Sequence, residues 1–329
     1  MATTTTQTPT PDLSKPPTTP VKTLTTVTPP GTPNATSTAA HQLVSEIRDI
    51  HDALCELTSL APAPRINALL TRLVDLCVVP YSVDFTTRFF QISGVEVLCE
   101  KLRPICSAAE GELEKHWAQR MIDELDTNPH TPATTILQTF PYYTNYIDLS
   151  RLEASIINSF IDTPPTSIAF LGSGPLPLTS LCFLSRYPYA TLHNVDRDAT
   201  ALALSSALCT KLGVAARMKF EREDVSLEVE GQDGGNVVGV GAKWTQAQVV
   251  FLAALVGMDT QTKLGILRDV VGKLRKGTLV VVRSAWGVRG VLYPILTLSE
   301  DLQALGLEVL AEVHPWTKVV NSVVVLRVK

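Results

Sequence analysis

From about residue 40 onward, apolar residues recur every three or four positions, the spacing of one buried face of an α-helix. In the first such stretch the repeating residues are Leu43, Val44, Ile47, Ile50, Leu54 and Leu57. Residues 63–78, 92–104 and 107–126 show the same spacing, and Ser107 is predicted to cap the last of these helices. We therefore predict an all-α helical domain over residues 39–160.

A different pattern begins after Pro164 and Pro165, where short apolar runs alternate with helical segments. The spacing predicts strands at 167–171, 191–195, 217–221, 249–253 and 278–283. It predicts intervening helices at 176–186, 198–212 and 260–275. This alternation indicates an α/β, Rossmann-like domain over residues 161–329 with a parallel, doubly wound sheet.

Two further apolar runs, at 307–314 and 322–328, are joined by a short loop. They are expected to close the sheet with an antiparallel strand, as in methyltransferase-like domains. Five glycines within residues 231–241 predict a flexible surface insertion before the fourth strand.

Composition adds a third segment and narrows the class of protein. Residues 1–38 hold 15 Thr and 8 Pro, so we predict a disordered Thr/Pro-rich tail. The net charge of −4 provides no general attraction to nucleic acid or to an anionic membrane, so neither is expected as a partner. No run of 18 apolar residues is present, and the six scattered cysteines suit a reducing compartment. A cytoplasmic protein is therefore expected.

The first chemical signal is a glycine-rich turn between a predicted strand and a predicted helix. Gly172 and Gly174 allow a tight turn and close ligand approach, and Ser173 and Pro175 complete the turn. Asp196 ends the next strand, where an acid binds both ribose hydroxyls of a nucleotide. The third glycine of the dinucleotide fingerprint is missing. The pattern therefore favours an adenosyl cofactor without phosphates, S-adenosylmethionine, over NAD; the alternative is a purely structural turn.

Other cofactor contacts are expected at the ends of the next two strands. Asp224 follows the third strand, where it is predicted either to bind the adenine amino group or to be a solvated acid. Ala253 and Leu255 follow the fourth strand and are predicted to line the adenosyl pocket, with plain core packing as the alternative.

Six long sequence blocks resemble the eukaryotic nicotianamine synthases. They are FPYYTNY, LGSGPLPLTS, HNVDRDA, VVFLAALVGM, RSAWGVRGVLYP and HPWTKVVNSVV, and the resemblance covers about residues 40–329. It implies a helical domain that caps a Rossmann-like S-adenosylmethionine-dependent transferase domain. The implied reaction condenses three molecules of S-adenosylmethionine into nicotianamine, a metal chelator, with release of methylthioadenosine. The group transferred is then aminocarboxypropyl rather than methyl.

Such a transfer needs a general base, because an amino nitrogen must lose its proton to attack carbon. Glu110 and Glu114 lie four residues apart and share one helix face. The family's AEGxLExH block implies that one of them is the catalytic carboxylate, and we favour Glu114. Without the resemblance, a solvated helix face is the simpler interpretation.

The FPYYTNY block places three tyrosines on the predicted link between the two domains. Tyr142 and Tyr143 are expected to take part in catalysis, and Tyr146 is expected to contact the cofactor. A tyrosine ring stabilises a nearby cation such as a sulfonium. The alternative is packing of an aromatic cluster at a domain junction.

Residues near the carboxyl ends of the last strands complete the candidate set. Arg283 is expected to bind a substrate carboxylate with both arms of its guanidinium group. Trp286 stands where plant members have histidine, and it is expected to make the pocket wall bulkier and more apolar. Asn321 is a candidate for the lining, whereas His314 is expected to be structural.

Three other functions remain open at this stage. A related opine-type synthase would make a single transfer to another amino acid, and a methyltransferase would release S-adenosylhomocysteine. A non-catalytic S-adenosylmethionine-binding module is the third. We expect that catalysis requires no metal, because no metal-ligand spacing occurs in the sequence. The oligomeric state is left open, with a homodimer as one arrangement.

Overall fold

The computed structural model describes residues 33–225 and 243–329. Most of the Thr/Pro-rich tail and the whole glycine-rich insertion at 231–241 lie outside these ranges. The predictions of a disordered tail and of a flexible insertion therefore concern residues outside the described structure. The first helix begins at Pro33, six residues before the predicted start of the helical domain.

Six helices make up the first half of the described chain. They are α1 (Pro33–Cys55), α2 (Pro64–Cys77), α3 (Val83–Gln91), α4 (Val95–Thr127), α5 (Ala133–Gln138) and α6 (Tyr143–Asn158). The apolar residues that predicted α1, including Leu43, Ile47 and Leu54, are buried against α2, α3 and the first part of α4. The apolar stripe on each helix thus supplies the core of this half.

The prediction of two helices at 92–104 and 107–126 was wrong, because α4 is one continuous helix. Pro104 lies in its interior, and Ser107 is a helical residue rather than a cap. A proline removes one main-chain hydrogen bond, which usually ends a helix. Here buried residues on both sides, such as Leu102 and Ala109, keep the helix packed through the proline.

The second half forms one seven-stranded sheet. Its strands are β1 (Ser167–Leu171), β2 (Thr191–Asp196), β3 (Met218–Arg222), β4 (Val249–Leu252), β5 (Leu279–Ser284), β6 (Leu307–Val313) and β7 (Ser322–Val328). Its helices are α7 (Leu178–Arg186), α8 (Ala199–Lys211), α9 (Thr260–Val271) and α10 (Glu300–Ala304).

The strand order is β3-β2-β1-β4-β5-β7-β6, and the first five strands of that order are parallel. Strand β7 pairs antiparallel with both β5 and β6, which confirms the predicted closing pair. The carboxyl ends of the parallel strands therefore lie at a single edge of the sheet, where open α/β sheets bind ligands.

Two features bring the helical half over that edge. Helix α4 packs on α8, and α6 packs on α7. The segment after β5 runs into the helical half, where Val288, Val291 and Leu292 join its hydrophobic core. The two halves thus share a boundary lined by α4, α6 and the carboxyl edge of the sheet.

Candidate active site

A cavity of about 1170 Å³ lies at this boundary. Its volume exceeds the usual range of about 300–1,000 Å³ for small-molecule sites. Of the residues predicted to act in catalysis or to bind the cofactor, all but Tyr143 line the cavity: Glu110, Glu114, Tyr142, Tyr146, Gly172, Ser173, Gly174, Pro175, Asp196, Asp224, Ala253, Leu255 and Arg283. The structure therefore brings residues from positions 110 to 283 into one chamber.

The glycine turn has the backbone shape that its sequence predicted. Gly172 and Gly174 have φ angles of 81° and 66°, which residues with a Cβ rarely adopt. The main-chain N–H of Gly174 donates to Asp196 Oδ2 at 2.9 Å, and that of Asp198 donates to Oδ1 at 3.0 Å. These two bonds fix the Asp196 carboxylate at the cavity wall.

Glu114 meets this turn from the opposite wall. A Cβ built on Gly174 would lie 2.6 Å from Glu114 Oε2, so a larger residue there would displace the carboxylate. The Tyr146 hydroxyl donates a hydrogen bond to Glu114 Oε1 at 3.1 Å. The carboxylate is thus held between the cofactor turn and a phenol from α6.

Glu110 forms a second acid–phenol pair one helical turn away. The Tyr293 hydroxyl donates to Glu110 Oε2 at 3.3 Å, and Tyr293 also lines the cavity. The sequence analysis missed Tyr293, although it lies within the RSAWGVRGVLYP block. Both carboxylates that share the face of α4 therefore point into the chamber with a hydroxyl partner.

Burial and mutual repulsion make these carboxyl groups unusually basic. Burial raises the pKa of Glu114 well above its ordinary value, and the nearby Glu110 raises it further. Burial also raises the pKa of Glu110, while the hydrogen bond from Tyr293 lowers it. A carboxylate with a raised pKa is a stronger base, as proton abstraction near neutral pH requires.

Arg283 is held differently from the prediction. Its Nε and Nη2 atoms donate to the two carboxylate oxygens of Glu153 at 2.8 and 3.1 Å, and Nη2 also donates to Thr179 Oγ1 at 2.9 Å. Glu153 lies on α6, is fully buried and was missed by the sequence analysis. Since this pair occupies the forked face of the guanidinium, Arg283 joins the two halves of the protein. Its positive charge lowers the pKa of both Glu110 and Glu114.

The chain after β4 forms another wall. Residues 253–258 all line the cavity, as does Asp224 after β3. Gly172 packs directly on this segment, because a Cβ at Gly172 would lie 3.2 Å from the Ala253 Cβ and would collide with Val256 Cγ2.

Two predicted aromatic positions lie outside the chamber. Tyr143, the first residue of α6, packs against the hydrophobic core shared by α4, α6 and the sheet. Trp286 does not line the cavity, so the prediction of a bulkier pocket wall was wrong. Its ring stacks on His314, with centroids 5.4 Å apart, and contacts Trp316, which is largely exposed.

The remaining two candidates behave as expected. Asn321 lines the cavity at the start of β7. His314 does not line it, and its Nδ1 lies 2.9 Å from the Ser322 hydroxyl. Within residues 33–225 and 243–329, no group of three or more His, Cys, Asp or Glu side chains is arranged to hold a metal ion. In the same ranges, no helix is long and apolar enough to cross a membrane.

The sheet order, the glycine turn after β1 and the acid at the end of β2 together define a class. The protein has a Rossmann-like fold of the S-adenosylmethionine-dependent methyltransferase type, preceded by a helical domain. This fold alone does not account for the acidic, tyrosine-lined chamber, which distinguishes a narrower family within the class.

Comparison with known proteins identifies that family. Residues 35–329 match the family described as nicotianamine synthase protein. Nicotianamine synthase 2 of Oryza sativa subsp. japonica is 39% identical over 289 residues, which span 87% of this chain and 82% of that protein. Nicotianamine synthase 2 of Arabidopsis thaliana is 36% identical over 287 residues, which span 87% and 83%. The chain belongs to the nicotianamine synthase family.

A solved structure supports the fold over both halves. The crystal structure of MtNAS in complex with MTA and tNA is 18% identical to this chain and superposes with a TM-score of 0.69. The match covers 88% of this chain and 97% of that one. A mutant of MtNAS in complex with S-adenosylmethionine superposes with a TM-score of 0.66 and 19% identity, over 86% and 96% of the two chains.

Proposed function

We propose that this protein is a nicotianamine synthase that condenses three molecules of S-adenosylmethionine into one nicotianamine and three methylthioadenosines. In each transfer an amino nitrogen forms a bond to the carbon next to a sulfonium sulfur. The carbon–sulfur bond breaks, and its electron pair stays on sulfur to give a neutral thioether. The nitrogen loses one proton, so each transfer requires a base within the chamber.

The adenosyl group is assigned to the sheet side of the cavity. Asp196 would accept hydrogen bonds from the two ribose hydroxyls, since two main-chain N–H groups already fix its carboxylate. The turn at 172–175 and the segment that contains Ala253 and Leu255 would enclose the adenosine, with Asp224 near the adenine. The absence of a Cβ at Gly174 lets the Glu114 carboxylate approach the turn closely, beside the proposed adenosyl site.

Glu114 is the proposed base, and its position is the observation that carries the proposal. Its carboxylate lies against the cofactor turn, where the reacting carbon of a bound donor would come, and Tyr146 fixes its orientation. The raised pKa of Glu114 suits it to accept the proton that the amino group must lose.

The other cavity residues have supporting roles. Glu110 with Tyr293 would bind the ammonium group of an acceptor molecule on the side of the chamber away from the turn. Tyr142, whose ring lines the cavity, would face a cationic sulfonium or ammonium group at a gain of roughly 0.5–2 kcal/mol. Arg283, already paired with Glu153, would favour the ionised form of the base rather than bind a carboxylate with its forked face.

The cavity volume supports repeated transfer over a single one. About 1170 Å³ is more than one S-adenosylmethionine requires, so an acceptor could remain beside the next donor. We further propose that the protein acts in the cytoplasm, which is supported by its six unpaired cysteines, and that its product serves metal homeostasis. A metal ion would then be bound by the product and would not take part in catalysis.

An isotope experiment tests which group is transferred. The protein is incubated with S-adenosylmethionine carrying ¹³C either in the methyl group or in the carboxyl group. The products are separated, and their masses are measured by mass spectrometry. The proposal requires the methyl label to remain in methylthioadenosine and the carboxyl label to accumulate in nicotianamine. Methyl label in any acceptor, with S-adenosylhomocysteine as the second product, would show a methyltransferase instead.

A further inference from the structure

We propose that Lys263 is a positioning residue for the adenosyl half of the cavity, although it does not line the cavity itself. The inference rests on the proposed function, because it assumes that the walls at 172–175 and 253–258 enclose the adenosyl group. Neither the sequence motifs nor the chemistry described above uses this lysine.

Lys263 lies in the first turn of α9 and its side chain is completely buried. Its Nζ donates to the main-chain carbonyl oxygens of Val256 at 2.7 Å, Ala254 at 3.0 Å and Ala253 at 3.5 Å. An ammonium group has three N–H donors, so these three carbonyls match its capacity. All three acceptors are uncharged main-chain carbonyls rather than carboxylates.

A buried lysine without a carboxylate partner is costly, and it persists where its hydrogen bonds are needed. Burial lowers the pKa of Lys263 to about 7, which expresses that cost. The carbonyls it binds belong to a segment that forms no regular secondary structure after β4. Without the lysine these buried acceptors would lose their partner, and the segment would have to rearrange to reach water.

The segment transmits its position directly to the glycine turn. Its Ala253 and Val256 side chains contact the place where Gly172 lacks a Cβ, so the turn and the segment pack without a gap. At its other end, a Cβ on Gly257 would lie 2.9 Å from the Lys263 Cα, so the segment is also pressed against α9. Direct contacts therefore run from Lys263 through residues 253–257 to Gly172, at the wall of the proposed adenosyl site.

This series of contacts predicts an effect on ligand binding rather than on the chemical step. The wall contacts the adenosyl group, which is the same in S-adenosylmethionine and in methylthioadenosine. Disturbing this wall should weaken the binding of both ligands by the same factor and leave the reacting groups near Glu114 in place. A change that raises KM while sparing kcat has removed binding that the ground state and transition state share.

The test compares Lys263→Met with wild type by titration calorimetry and by turnover. For the S-adenosylmethionine titrations both proteins also carry Glu114→Gln, so that the ligand is not consumed. Methionine keeps the length and apolar stem of lysine but donates no hydrogen bond. We expect the Kd values of methylthioadenosine and S-adenosylmethionine to rise together by about tenfold, with kcat at saturation within about twofold of wild type.

Val270→Ala is the matched control, because Val270 is buried on the same helix two turns away and lies outside the cavity. It should lower the melting temperature and leave both Kd values unchanged. If Lys263→Met yields no folded protein, Lys263→Gln, which retains two N–H donors, should give a smaller rise in both Kd values. A folded Lys263 variant with wild-type Kd values would overturn the inference. A wild-type protein that binds neither ligand would instead overturn the proposed function, and the inference with it.

Discussion

The contact between Gly174 and Glu114 offers the sharpest perturbation of the site. Gly174→Ala adds one methyl group at a position where the added Cβ would lie 2.6 Å from Glu114 Oε2. Ordinary contact begins at about 3.4 Å, so the carboxylate has to move by about 0.8 Å or the turn has to open. Either movement separates the proposed base from the cofactor turn and strains its bond with Tyr146.

The size of the effect follows from two separate costs. A side chain at φ 66° costs about 1–2 kcal/mol of stability, wherever in the protein it occurs. Misplacing a catalytic group by about 1 Å costs about 10²-fold in rate. We therefore expect Gly174→Ala to lower kcat/KM by about 10²-fold, together with a loss of stability that is modest for a protein of this size.

Gly213→Ala separates the two costs. Gly213 has a φ of 73°, so alanine there carries the same backbone strain, but its added Cβ meets no described atom within 4 Å. The assay measures methylthioadenosine release from S-adenosylmethionine by liquid chromatography, alongside thermal unfolding of each variant. Both variants should lose similar stability, and only Gly174→Ala should lose activity. Equal activity in the two variants would refute the placement of Glu114 on the cofactor turn.

Three further predictions concern the base, the buried lysine and the aromatic surface. Glu114→Gln should lower kcat by about 10²–10⁴-fold while methylthioadenosine still binds, and calorimetry and turnover check this. Glu124→Gln, an exposed position on the same helix outside the cavity, should retain full activity. The pKa of Lys263 is about 7 in the folded protein and about 10.4 in the unfolded chain, so the unfolded chain binds more protons between these values and stability rises with pH. Urea unfolding of wild type should therefore gain about 2 kcal/mol over Lys263→Met between pH 7 and pH 9, and parallel profiles would contradict this. Trp286→Ala should lower the melting temperature without changing the KM for S-adenosylmethionine, because Trp286 stacks on His314 outside the cavity; a clear change in KM would place it in the site.

The glycine turn and the place of Asp196 in the cavity could be predicted from the sequence because their signals are local. Gly172 and Gly174 are needed for the backbone of one turn, and Asp196 ends the next strand along the chain. The sheet itself was predictable for the same reason, since each strand is a short apolar run of its own.

The acidic half could be predicted only in part, because its geometry depends on contacts between distant segments. The spacing of Glu110 and Glu114 places them on one helix face, but nothing local shows that Tyr293 and Tyr146 hydrogen-bond to them. Arg283 was predicted to bind a substrate carboxylate because its actual partner, Glu153, lies 130 positions earlier in the chain and shares no local pattern with it. Such pairings are set by tertiary packing rather than by any pattern along the sequence.

Local signals also misled where packing outweighed them. Pro104 and the cap-like Ser107 predicted a break within α4, but buried residues on both sides keep one helix. Trp286 was assigned to the pocket from its alignment with a family histidine, and its stacking on His314 and Trp316 directs it elsewhere.

The central claim is that the acidic chamber redirects the cofactor from methyl transfer to repeated aminocarboxypropyl transfer. The most direct test is to incubate the purified protein with S-adenosylmethionine alone, with no other acceptor, and to identify the products by mass spectrometry. The account predicts nicotianamine and methylthioadenosine in a ratio of one to three. Release of S-adenosylhomocysteine, the by-product of methyl transfer, or no turnover at all would contradict it.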